Sequence, residues 1–150
     1  MGALLGYDMG MTLNTAYPLN GNFNSTRDEY LVSAAGPLVT VIQGFVVFIL
    51  MNQKKRRNLY PFLFICFYMR LLATIISSFN PNDEARISQG LGLGTFTLPI
   101  IVTLLLFFLL FYITRQYRFN VKFVTITSIL IIIFTSVIIL SNQFFDLRLI

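Results

Sequence analysis

Residues 123–140 read FVTITSILIIIFTSVIIL, eighteen positions without a charge and half of them isoleucine or valine. In water such β-branched wealth favours a strand. This run is longer than ordinary strands and does not alternate between apolar and polar positions. At 1.5 Å per residue it makes a helix of about 27 Å, close to the hydrocarbon thickness of a bilayer. Inside lipid every backbone N–H and C=O needs a partner within the protein, and a single segment meets that demand only as a helix.

Three other stretches have the same character. Residues 31–51 and 91–113 carry no charge over 21 and 23 positions, and residues 59–79 carry one, Arg70. The composition agrees: 56% of the 150 residues are apolar and 11% charged, with a mean hydropathy of +0.75. A water-soluble domain of this size needs roughly a quarter of its residues charged. Intrinsic disorder is excluded by the same figures. A disulfide scaffold is excluded because Cys66 is the only cysteine; in the second span it is expected to be an inert apolar residue. The expected fold is all-α, an integral membrane four-helix bundle with residues 31–150 as the four-span domain.

Charge is sorted among the connections. Lys54, Lys55, Arg56 and Arg57 follow the first span, and Arg115, Arg118 and Lys122 follow the third. The six acids, Asp8, Asp28, Glu29, Asp83, Glu84 and Asp146, lie elsewhere. Cytoplasmic loops are enriched in Lys and Arg, so these two connections are expected inside and both termini outside. Residues 1–30 then form an extracytoplasmic polar tail, read as loop or short hairpin from its Asn, Gly, Thr and Pro18. Residues 1–5 lack the basic flank and apolar run of a signal peptide, and the tail has the character of a connection following an earlier helix. Asn24-Ser25-Thr26 forms a glycosylation triplet, a pattern frequent by chance. The expected location is the cell membrane, specifically a bacterial inner membrane, with the lipid bilayer as first partner. The net charge of +5 reflects orientation, with no nucleic-acid role, because the basic loops are too short to form a binding surface; they also suit anionic lipid.

Several residues are singled out by type and place. Arg70 sits near the middle of a span, where a charge costs about 2.5–3.5 kcal/mol on insertion scales. Its partner is a backbone carbonyl, Tyr68, a Ser or Thr hydroxyl, water, Asp83 or Glu84 dipping inward, or an acid on another membrane protein. Arg70 is accordingly an anion clamp, a structural pin or a snorkelling side chain. Gly36, Thr40 and Gly44 repeat at four-residue spacing, a small-residue face for helix packing; Pro37 joins the packing residues as a mild kink that lets a neighbour approach, and Gln43 lies beside the face. Asn82 or Asp83 is placed to cap a short surface helix running to Gln89 and stopped by Gly90. Gly90, Gly92 and Gly94 make a flexible entry to the third span, in which Pro99 is expected to introduce a kink. Tyr60, Tyr112 and Tyr117 are expected as aromatic anchors at the membrane surface.

Ser33-Ala34-Ala35-Gly36-Pro37-Leu38, preceded by Gly6-Tyr7 and a polar extended tail, resembles the Ala-Gly-Pro segment of site-2-protease-like membrane zinc metallopeptidases, peptidase family M50. Asn80-Pro81-Asn82-Asp83 is similar to the Asn-Pro-Asp element that supplies that family's third zinc ligand, and 83–92 also resembles bacterial relatives. The resemblance spans about residues 1–95. It implies a multi-pass metallopeptidase-like protein in which Asp83 is a relic metal ligand and Arg70 lines the same site. The sequence departs from the pattern at Thr40, where Asn often stands, and at Glu84, where Gly does. The chain has no histidine, hence no His-Glu-x-x-His. Zinc hydrolysis needs two such histidines and the glutamate, so zinc is expected only if an upstream helix supplies them. The chain itself is expected to be inactive, with no catalytic residue, as a fragment or a degenerate relative. Two other classes remain open: a small structural or assembly subunit that uses Arg70 to meet a partner's acid, and a small anion transporter.

Overall fold

The computed structural model describes residues 2–11, 16–19, 23–79 and 82–145. A 3-10 turn, Gly2–Leu5, leads into a small antiparallel hairpin of β1 (Met9–Met11) and β2 (Ala16–Pro18), in which Gly10 pairs with Tyr17. The rest of the described chain is helical: α1 (Thr26–Lys54), α2 (Tyr60–Ile76), the short α3 (Asp83–Gly90), α4 (Thr97–Tyr117) and α5 (Val121–Phe145). Four of these helices are long and apolar enough to cross a bilayer. Most of their large apolar side chains point outward, among them Ile42, Val46, Phe108, Ile129, Ile133 and Phe134. Water does not tolerate so large an apolar surface on a single chain; lipid does. The chain is an all-α, multi-pass membrane protein.

Local chemistry sets the helix ends. Ser25 caps α1 by accepting from the Arg27 N–H, and Asp28 and Glu29 in the first turn answer the positive end of the helix dipole. α1 and α4 each end on a left-handed residue, Lys55 (φ 49°) and Arg118 (φ 47°). The third span starts later than residue 91, because Gly92 (φ 71°) and Gly94 (φ 85°) take conformations that interrupt a helix. Pro99 therefore falls in the first turn of α4, where its missing N–H leaves no bond unmade, and not inside the helix, where the kink expected from the sequence would need it. Pro37, in contrast, lies well inside α1 and is buried.

The core is narrow. At one end Met51, Tyr60, Leu63, Leu110 and Ile113 form a buried cluster from α1, α2 and α4. Along α1 the buried positions are Ser33, Pro37, Gly44 and Met51, so the packing seam runs through these residues. Gly36 lies to the side of it: the residue is exposed and a Cβ there would meet nothing within 4 Å. Thr40 is half-buried and its hydroxyl donates back to the Gly36 carbonyl at 3.0 Å. Gly44 is where helices approach closely, since a Cβ there would lie 2.7 Å from Leu106 Cδ2 and 3.8 Å from Cys66 Cβ. Gly44→Val is thus expected to lower unfolding free energy in detergent by about 1–3 kcal/mol. Gly36→Val, facing open space, is expected to change it by less than about 0.5 kcal/mol. Equal effects would show that close approach at Gly44 is not what the bundle needs.

Both basic connections lie at the same end of the bundle. The Tyr117 hydroxyl donates to the Met51 carbonyl at 2.5 Å, Gln116 Nε2 donates to Asn52 Oδ1 at 2.9 Å, and the Arg57 guanidinium stands 5.6 Å from the centre of the Tyr117 ring. Tyr112 is exposed and Tyr117 half-buried, but Tyr60 is no surface anchor. It is 1% exposed, packs on Phe119 and Phe123 at ring distances of 4.6 and 5.6 Å, and shares a 3.2 Å hydrogen bond with Thr114. These contacts hold the start of α5 against α2.

Candidate functional site: a buried ion pair beneath a short helix

The opposite end of the bundle is covered by α3, which packs against α1 and α4. Asn82 starts it by accepting from the Ala85 N–H at 2.9 Å, while its own amide donates to the Ala73 carbonyl at 3.0 Å. A single side chain thus caps α3 and ties it to the last turns of α2. Ser88 donates to the Gly94 carbonyl, Gln89 donates to the Thr95 hydroxyl at 2.8 Å, and Arg86 pairs with Glu29 at the head of α1. Gly90 has no room for a side chain: a Cβ would sit 2.5 Å from the Tyr30 hydroxyl. On the tail side, the Tyr7 hydroxyl donates to Asp28 Oδ2 at 2.8 Å and accepts from the Asn24 N–H at 2.9 Å.

This arrangement points Glu84 into the bundle. Its side chain is 3% exposed, and its Oε1 accepts from Arg70 Nη1 at 2.9 Å, with the Arg70 side chain 15% exposed. Arg70 stands six residues before the end of α2, about 9 Å along the helix axis, within reach of a helix that folds back over the bundle end. The internal acid was one of several partners the sequence allowed. The other carboxylate oxygen, Oε2, and Arg70 Nε are also buried and have no hydrogen-bond partner among the described residues. Below the pair, the Thr74 and Thr103 hydroxyls lie 2.8 Å apart and approach the Arg70 carbonyl at 2.9 and 3.2 Å, joining α2 to α4.

Burial pushes the Glu84 carboxyl above its ordinary range; the Arg70 hydrogen bond and charge work against this, and neighbouring Asp83 adds to it. Asp83, at the exposed rim, is also raised, first by the surrounding protein, with the Arg70 charge and the nearby Ser33 hydroxyl acting in the opposite direction. Asp83 thus starts a helix that packs against α1, which carries the Ser33–Leu38 segment. Asn80 and Pro81 lie outside the described residues.

The donor set does not fit a catalytic zinc. Such a site needs three protein ligands, and among the described residues no three His, Cys, Asp or Glu side chains come together. Cys66 is buried within α2, and the chain contains no histidine. With Glu84 as an internal counter-charge, neither a partner's acid nor a transported anion is needed to account for Arg70. The contacts of Tyr7, Tyr30 and Arg86 escaped the sequence reading because their partners, Asp28, Gly90 and Glu29, stand far from them in the chain and leave no local signature. Comparison with protein-family models, curated proteins and solved structures finds no match for the chain.

Proposed function

We propose that the chain is the membrane-embedded scaffold of a site-2-protease-like metallopeptidase relative, without a zinc centre of its own and inactive alone. The supporting observation is the packing of α3, which begins at Asp83, against α1, which carries Ser33–Leu38. It joins, at one end of the bundle, the two segments on which the resemblance rests, although they stand fifty positions apart in the chain. In this reading Arg70 and Glu84 hold α3, and with it Asp83, over the mouth of the bundle. The basic end faces the cytoplasm by the positive-inside rule, which puts the Asp83 end outside, in the membrane of a bacterial cell.

The test adds what zinc chemistry requires. A helix bearing His-Glu-x-x-His is fused ahead of Met1, and bound zinc is measured after purification. The expected result is about one zinc per fused chain, almost none in the unfused chain, and at least tenfold weaker retention in the Asp83→Asn fusion, the scale of loss typical for groups that tune a metal site. Zinc retained equally by the Asp83→Asn fusion, or taken up by neither fusion, overturns the proposal.

A role as an assembly subunit is favoured by a different observation. Gly36 and Gln43 lie seven residues apart on α1 and are both exposed, with Thr40 half-buried between them. This is a polar and small-residue strip on a face that otherwise meets lipid, of the kind that lets a second membrane helix approach.

A further inference from the structure

The basic end carries a surface cavity of about 500 Å³ lined by Lys55, Arg56, Arg57, Asn58 and Leu59. The backbone brings these side chains together: Lys55 turns left-handed at the end of α1, and a 3-10 turn, Arg57–Leu59, leads into α2. Arg57 is held over Tyr117, whose own hydroxyl is fixed on Met51. Leu59 packs against the buried cluster and gives the cavity an apolar wall. Among the described residues the ion pairs are Arg70–Glu84 and Arg86–Glu29, both at the other end of the bundle. Lys55, Arg56 and Arg57 therefore share one cavity with no carboxylate among the described residues to offset their repulsion.

The cavity's depth indicates the source of the missing anion. α2 has 17 residues, about 26 Å of helix against a hydrocarbon core of about 30 Å. Its first turn, and the cavity beside it, thus lie where lipid headgroups begin. Cations converging beside an apolar wall at this level match a phosphate with acyl chains attached. We propose that this cavity binds the phosphate of an anionic phospholipid headgroup, with Lys55, Arg56 and Arg57 as its ligands and Leu59 against the lipid's glycerol and upper chain. This site is independent of the zinc-related function.

The full-length chain is placed in nanodiscs of equal phosphatidylglycerol and phosphatidylcholine, and the lipids that remain bound on release are counted by native mass spectrometry. Both faces of a nanodisc offer the same lipid, so a change in membrane orientation does not disturb the readout. The wild-type chain is expected to keep phosphatidylglycerol in preference to phosphatidylcholine. Removing all three ligands of the cavity, Lys55→Gln/Arg56→Gln/Arg57→Gln, is expected to lower that preference by tenfold or more, because their charge-assisted bonds to the phosphate are lost together. The charge-matched variant Arg115→Gln/Arg118→Gln/Lys122→Gln is expected to lose less than about threefold, because charges outside the cavity act only through the screened general field. Equal losses in the two variants, or no preference in the wild type, would overturn the site. Displacement of the lipid by millimolar inorganic phosphate would mean a free-phosphate site and would equally overturn the lipid assignment.

Discussion

Glu84→Ala is expected to destabilise the folded bundle by about 3–5 kcal/mol, because it leaves the Arg70 guanidinium buried without its counter-charge. Arg70→Leu is expected to cost a similar amount at pH 8, with the carboxylate now stranded. The two variants separate on acidification. The folded protein holds the Glu84 proton more tightly than the unfolded chain does, since the carboxyl is raised above its ordinary value near 4.5, chiefly by burial. Where the folded-state pKa is the higher one, stability grows as pH falls through the interval between the two values and declines as pH rises through it. In Arg70→Leu the carboxyl loses the hydrogen bond and charge that had lowered it, so the interval widens upward. At pH 5 Glu84 takes a proton and much of the defect disappears. In Glu84→Ala the stranded partner is an arginine, which does not discharge, and the defect persists at both pH values. Arg70→Leu/Glu84→Leu is expected to recover most of the loss, as buried pairs replaced by apolar residues commonly do. Thermal unfolding in detergent at pH 5 and pH 8 measures all three. An Arg70→Leu defect that is the same at both pH values would show that the pair does not hold α3 in place.

At the other end, Tyr60→Ala is expected to cost about 3–5 kcal/mol, the range for emptying a large aromatic site in a packed core. Tyr60→Phe keeps the ring and loses only the bond shared with Thr114, about 1 kcal/mol. The alanine variant removes the surface on which Phe119 and Phe123 rest, so its amide protons from residue 121 onward are expected to exchange faster than those of α4. Uniform acceleration across all four long helices would mean that Tyr60 serves the whole core and not the docking of α5.

The four spans were legible because length, apolarity and lack of charge are local properties. Their ends were less so: the start of α4 is fixed by left-handed backbone at Gly92 and Gly94, which composition alone does not reveal. On α1 the buried seam passes through Pro37 and Gly44, whereas Gly36 faces outward. In a helix that is apolar on nearly all sides, hydrophobic periodicity gives little guidance to the buried seam. Tyr60 was misplaced for a related reason, since an aromatic near a span end fits both the lipid surface and the core. At the ion pair, Arg70 stood out by type and depth, and Asn82 by its capping position. That α3 folds back far enough to bury Glu84 depends on contacts made by Asn82, Ser88 and Arg86 with three other elements, which no single segment encodes.

The left-handed ends of α1 and α4 carry one more implication. Glycine is the residue that such a conformation suits, and for other residues it costs about 1–2 kcal/mol. Here the two places are held by Lys55 and Arg118. Each of the two helix exits thus combines a strained backbone with a positive charge. A glycine at either place would relax the backbone and at the same time remove a positive charge from the negative end of a helix dipole, so the two effects oppose each other there.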